Sequence, residues 1–338
     1  MKLEYEAANK SIQNKLESIY LFYGEELFLI DNLIKTVKKK FGELVQGINY
    51  VQIDATSVDT LISNIEMPAF GYDKKLIIVR DSGLFTKDGR KKEAPAIQVE
   101  VAEYIKNNID IIDESVCLVF VEEDIKASSV YEAISTHCIE TKVDFLNEAQ
   151  MRKKLAQICS LYKVNIEPNA LAKLVETSGT NLQIQINEIR KLIEYAGEGG
   201  TIKVEDVEKL AIKEVSSVIF DLTDNLSIRN VKKAMEIYDD LIYSKTEDAM
   251  ILFMLYQHFK KVLLYKIAKD NNKNIVKSLE LRPNQEFLVK KYAQQASHYT
   301  QNQLISILHE LADLDSNFKQ GKIDLGIGLR SILCVYCS

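Results

Sequence analysis

The chain of 338 residues has no tryptophan, only 4 prolines and 13 glycines, and only 4 histidines and 5 cysteines. Each scarcity excludes something. So few turn-forming residues disfavour a protein of many short strands and tight turns, while the abundance of Leu, Ile, Lys and Glu favours helix. The cysteines (Cys117, Cys138, Cys159, Cys334 and Cys337) are odd in number and widely scattered, unlike a secreted disulfide framework. No apolar run approaches the roughly 20 residues of a membrane span. The opening Met1-Lys2-Leu3-Glu4-Tyr5-Glu6 lacks the apolar stretch of a signal peptide. A cytoplasmic protein without membrane contact is therefore expected.

What is present suffices for ordinary cores, with 46% apolar and 27% charged residues, and the length suits two or three domains. The net charge of −6 argues against a surface given over wholly to nucleic acid. That charge is unevenly placed. Residues 213–338 carry 17 basic and 15 acidic side chains, a net +2, so residues 1–212 carry −8. The two ends are expected to meet different partners.

Up to about residue 145, short apolar runs alternate with helical patterns. Ser18–Tyr23, Asn49–Ile53, Leu76–Val79, Cys117–Val121 and Ile139–Phe145 read as strands, and the continuous runs among them suit strands covered on both faces. Leu27, Ile30, Leu33, Ile34 and Val37 recur at helical spacing, as do the apolar positions of Val58–Glu66. Strands separated by helices predict a largely parallel sheet in an α/β first domain, 1–145. Beyond it the strand signals stop. Helical periodicity covers Glu148–Val164, Pro168–Ser178 and Thr180–Tyr195, and Thr201 reads as the N-cap of another helix. These predict a small all-α domain at 146–212. A second all-α domain follows at 213–338, with breaks near Ser227, Ser244–Glu247, Asn271–Asn274 and Ser297–Thr300.

Residues that carry chemistry are scarce. The turn after the first strand, where a parallel sheet would bind a nucleotide, reads Tyr23-Gly24-Glu25-Glu26. A phosphate cradle needs several glycines and a lysine, whereas this turn offers one glycine and two repelling carboxylates. Acids follow two strands, at Asp81 and at Glu122-Glu123-Asp124. Without a cradle they read as strand ends meeting solvent. His137, His258, His298 and His309 stand in no zinc-binding spacing, although Cys138 adjoins His137. Cys334-Val335-Tyr336-Cys337 is a single CxxC without a second pair, better suited to packing. No catalytic residue, cofactor or metal site is expected.

The binding features are stronger. Leu61, Ile62 and Ile65 form an apolar stripe running into Met67-Pro68-Ala69-Phe70-Gly71-Tyr72. Pro68 disfavours helical geometry at Met67, and Gly71 permits a turn, so Met67 and Phe70 can stand on an exposed tip. Filling the local core is the competing role for Phe70. Basic stretches occur at Thr86–Lys92, around Lys260, Lys261, Lys266 and Lys269, and at Lys290 and Lys291. The helical ones suit phosphate contact or a solvated face equally.

Five blocks in order resemble the bacterial DNA polymerase III clamp-loader delta-subunit family. They are Tyr20–Ile30, with its Gly24-Glu25-Glu26; Met67–Val79; Asn181–Leu192; Val218–Asp224; and Leu311–Gly321. The resemblance implies an AAA+-like first domain without a phosphate-binding loop, a small helical lid-like domain and a helical collar domain. It implies a subunit that opens the sliding clamp (the beta subunit) without hydrolysing ATP. It also implies assembly with the gamma/tau ATPase subunits and delta prime, beside primer–template DNA. By motif position the clamp-binding wedge is Ala69 and Phe70, flanked by Met67, Pro68 and Gly71. Ala69 departs from the family, which often has a larger apolar residue there. Two alternatives are a regulatory or scaffold protein of the same architecture and a nucleotide hydrolase with an atypical loop at Gly24.

Overall fold

The computed structural model describes residues 1–85 and 94–336. They form two compact units, Met1–Phe145 and Leu146–Ser338. The first is built on a five-stranded sheet of β1 (Ile19–Tyr23), β2 (Tyr50–Ile53), β3 (Lys75–Arg80), β4 (Val116–Glu122) and β5 (Cys138–Lys142). All the strands are parallel and their order is β2-β3-β4-β1-β5. Helices make the crossovers: α1 (Tyr5–Asn14) precedes β1, then come α2 (Leu27–Phe41), α3 (Leu61–Glu66), α4 (Ala94–Asn107), α5 (Ile109–Ser115) and α6 (Ser129–Ile134).

The continuous apolar runs are explained by burial on both faces. Ile19, Leu21, Ile77, Val79, Leu118 and Phe120 join one core with Leu61, Ile65, Val101, Ile105, Ile112 and Ile134 of the helices. The alternate strand residues Tyr20, Phe22, Leu76, Ile78, Val119 and Val121 face the other side and are equally buried. Beyond the β5 edge, Met1–Leu3 continue the ladder, since Leu3 N–H donates to Glu140 O at 2.9 Å and Glu140 N–H to Met1 O at 2.9 Å. Covering that edge removes a row of open backbone groups.

The second unit contains α7 (Glu148–Leu161), α8 (Pro168–Thr177), α9 (Leu182–Ala196), α10 (Val204–Leu210), α11 (Val215–Ser227), α12 (Val231–Tyr243) and α13 (Asp248–Asp270). After these follow α14 (Ile275–Ser278), α15 (Leu288–Ala296), α16 (Gln301–Lys319) and α17 (Leu325–Tyr336). Breaks fall at the four places the sequence marks, and two more, between α14 and α15 and between α16 and α17, are not among them. Two short strands correct the reading of residues 146–212 as purely helical: β6 (Asn165–Ile166) pairs in parallel with β7 (Thr201–Ile202). Thr201 is therefore a strand residue rather than a helix cap. The cap of α10 is Lys203, whose N–H donates to the Asp206 carboxylate at 2.8 Å. Two-residue strands leave no periodicity to read; the pairing is made by Asn165 N–H donating to Gly200 O at 2.9 Å and Glu167 N–H to Ile202 O at 3.1 Å.

From α11 onward one continuous core runs from Ile219 to Leu333. Within it lies a polar knot. His258 Nε2 is 2.5 Å from Gln295 Oε1 and 3.0 Å from Thr223 Oγ1, and the Gln295 amide donates to Asp224 Oδ1 at 2.5 Å. Because the Gln295 oxygen only accepts, His258 donates from Nε2. Phe220, Phe259 and Tyr292 pack around the ring, and burial pushes its pKa down to about 4. The unfolded chain takes up a proton near pH 6.5 that the folded chain refuses until about 4. Stability is therefore expected to fall as pH drops through that window, by on the order of 3 kcal/mol. His258→Leu should weaken the fold at pH 7 and flatten this slope, as read by thermal melts at pH 7 and pH 5. An unchanged slope in the variant would assign it to other groups.

Candidate functional site

In a parallel sheet that reverses its strand order, ligands bind outside the carboxyl ends of the strands at the reversal. Here that position follows β1, which lies between β4 and β5. The turn is already occupied by the protein itself. Gly24 N–H donates to Glu122 O at 3.2 Å, Glu26 N–H donates to Val143 O at 3.1 Å, and Val143 N–H donates to Tyr23 O at 2.7 Å. Gly24 sits at φ +129°, and a Cβ there would lie 2.3 Å from Val143 O. Its glycine thus serves close approach to β5's exit, and its amide is not left for a phosphate. Glu26 is buried at the start of α2, with its carboxyl raised by that burial. A helix N-terminus that faces an anion elsewhere here faces its own carboxyl group.

Of the strand-end acids, Asp81, Glu123 and Asp124 are exposed, as the sequence predicts, but Glu122 is not a solvent contact. Glu122 is only 4% exposed and accepts from Ser82 N at 3.0 Å and Ser82 Oγ at 2.5 Å. Asp81 turns the chain at φ +47° and donates its N–H to Val121 O at 2.9 Å. The cysteines divide similarly: Cys117, Cys138 and Cys159 are buried in the cores, and burial pushes the Cys117 thiol up to about 12. Cys334 is exposed, and Cys337, the other half of the CxxC, lies outside the described residues. His137 is exposed while Cys138 is buried, so the pair forms no joint site. Among the described residues no group of three or more potential metal ligands exists, and no helix is long and apolar enough to cross a membrane.

The basic candidates scatter. Lys266 donates to Ala296 O at 3.1 Å, Lys291 pairs with Glu176 at 2.6 Å, and burial lowers the Lys261 pKa. Lys260, Lys269 and Lys290 are exposed. The basic stretch Thr86–Lys92 lies outside the described residues.

The apolar turn differs from all of these. Met67, Pro68, Ala69, Phe70 and Gly71 connect α3 to β3 and lead into the amino end of that strand, whereas the Gly24 turn follows the carboxyl end of β1. Phe70 is 73% exposed and Met67 50%, while Ala69 is half-buried. Filling the local core is thus not what Phe70 does. Two hydrogen bonds fold the turn: Phe70 N–H to Pro68 O at 3.2 Å and Tyr72 N–H to Ala69 O at 2.8 Å. Gly71 takes φ +83°, in the left-handed region. At the base sits Lys75, 1% exposed, whose ammonium donates to Asn64 O at 3.0 Å and Met67 O at 2.5 Å. The sequence carries a signal for Lys75: a lysine opening an otherwise apolar strand.

These features define an α/β chain with a helical second unit, whose first-strand turn is closed by its own backbone and whose exposed apolar turn leads into the amino end of β3. Comparison with known proteins gives the family. Residues 20–143 match the family described as DNA polymerase III, delta subunit, and residues 216–336 match DNA polymerase III delta subunit, C-terminal domain. The chain is 21% identical over 318 residues to the DNA polymerase III subunit delta of Bacillus subtilis, covering 92% of this chain and 90% of that one. It is 23% identical over 275 residues to the probable DNA polymerase III subunit delta of Aquifex aeolicus, covering 78% and 75%. Its fold superimposes on the Bacillus subtilis DNA clamp loader delta protein with a TM-score of 0.74 at 21% identity, over 98% of this chain and 99% of that one. The chain belongs to the DNA polymerase III delta-subunit family, and is an accessory subunit of that polymerase rather than its catalytic one.

The remaining family-like blocks now have physical reasons. Asn181 caps α9 by accepting from Ile184 N–H at 3.1 Å, and the buried Glu188 accepts from Ile212 N–H at 2.9 Å. Gly321 ends α16 at φ +69°. Gly24→Ala should destabilise the first unit by roughly 1–3 kcal/mol, because the new methyl group must displace the Val143 backbone. A melting temperature equal to that of the parent would show that β5's exit yields freely.

Proposed function

We propose that this chain is the clamp-opening subunit of a clamp loader, binding the sliding clamp through the turn Met67-Pro68-Ala69-Phe70-Gly71. The observation that carries this reading is an aromatic ring, 73% exposed, on a turn whose backbone is folded and anchored. Leaving such a ring in water forgoes roughly 1.5–3 kcal/mol of burial. A partner pocket recovers it, and anchors of this kind dominate interfaces. Binding opens a ring only as far as the turn prefers the open clamp to the closed one. Clamp opening thus draws on differential affinity and needs no hydrolysis by this chain. The self-occupied Gly24 turn supports leaving ATP to the gamma/tau subunits.

On this reading residues 1–145 present the turn and residues 146–212 act as the lid-like domain. Residues 213–338 form the collar that joins gamma/tau and delta prime beside primer–template DNA. This is cytoplasmic work. Ala69 offers little surface, so Phe70 carries most of the anchoring, with Met67 beside it. Phe70→Ala is expected to weaken binding to the sliding clamp by about 2–4 kcal/mol, as titration calorimetry would read it, with the circular dichroism of the fold intact. Affinity unchanged from the parent would remove the turn from the mechanism.

A further inference from the structure

Lys75 is a buried cation that the chemistry so far has not used. It opens β3, is 1% exposed, and meets two backbone carbonyls, Asn64 O at 3.0 Å and Met67 O at 2.5 Å. An ammonium is a costly choice for a buried strand position, where methionine fills similar space without desolvating a charge. What the charge provides is a grip on the end of α3, through the Asn64 carbonyl in its last turn, at the negative end of its dipole, and the Met67 carbonyl just beyond it. The hydrogen bonds inside the turn, Phe70 to Pro68 and Tyr72 to Ala69, set its shape but tie it to nothing else. Phe70 itself projects into solvent and is not held by packing. The Lys75 ammonium is bonded directly to the turn's first residue, Met67. Its neighbour Lys74, between the turn and β3, donates to Asp113 O at 2.6 Å.

We infer that Lys75 is a positioning residue: by gripping the end of α3 it holds the Met67–Gly71 turn ready-formed, so that Phe70 meets the clamp without being ordered on binding. This rests on the clamp-binding reading of the turn and assigns a device within it. Preorganisation raises affinity by removing an ordering cost that binding otherwise bears.

The test is a double-mutant cycle on the full chain, with the sliding clamp as titrant. Lys75→Met, which removes a buried charge, should melt within a few degrees of the parent yet bind the clamp roughly tenfold more weakly. Because Lys75 acts through Phe70, adding Lys75→Met to Phe70→Ala should cost little beyond Phe70→Ala alone. Lys75→Gln, which retains a donor, should lose less than Lys75→Met. Unchanged affinity in Lys75→Met, or losses that simply add, would overturn the inference while leaving the clamp-binding turn standing. So would both Lys75 variants melting far below the parent, since Lys75 would then be a folding residue. If Phe70→Ala alone binds normally, the underlying reading of the turn fails instead.

Discussion

The placement of β1 between β4 and β5 is the constraint from which the rest of the first unit follows. It buries β1 on both faces and aims its carboxyl end at the exit of β5. There Val143 bonds to the backbone on either side of Gly24, closing the crevice in which sheets of this order hold ligands. The same parallel order sends α3 back across the sheet, so the chain re-enters β3 at the amino ends of the strands, opposite the end where the Gly24 turn lies. The exposed apolar turn forms at that re-entry. The closed crevice and the open turn are thus two ends of one topology.

Chemistry at the two ends is handled in opposite ways. At the Gly24 turn the Gly24 and Glu26 amides have internal acceptors, and the buried Glu26 carboxyl lies at the start of α2 where an anion would otherwise sit. At the Phe70 turn the Phe70 and Tyr72 amides are also bonded internally, but the Phe70 and Met67 side chains are exposed. A subunit that works by contact, as proposed for this chain, is served by this division: one turn closed on itself and another that holds an apolar ring in water. The polar knot around His258 serves the second unit similarly, tying α11, α13 and α15 with fully partnered groups inside an apolar core.

Much of this was legible in the residues. The five strands and the long helices announced themselves by continuous apolar runs and by three- and four-residue spacing, which survive any tertiary context. The turn was legible because Pro68 and Gly71 bracket Phe70. Its exposure was not, since a phenylalanine beside an apolar stripe reads equally well as core. The β6–β7 pair escaped because two residues cannot show a period. Glu122 was misread because a carboxylate after a strand looks like solvent contact until Ser82 is seen to bond to it. Lys75 was passed over for a similar reason: a lysine between an exposed turn and a strand resembles a boundary marker, and only its two carbonyl partners reveal a buried role. Resemblance to a family located the blocks, and the structure explains why most are scaffold and one is surface.

The central claim is that the Met67–Gly71 turn is the surface that meets the sliding clamp. Hydrogen exchange of the chain, alone and with excess clamp, tests it most directly. The account predicts slowed exchange concentrated between Met67 and Tyr72, with the already bonded amides of Gly24 and Glu26 unaffected. Clamp-induced protection elsewhere in the chain, with none across the turn, would contradict it.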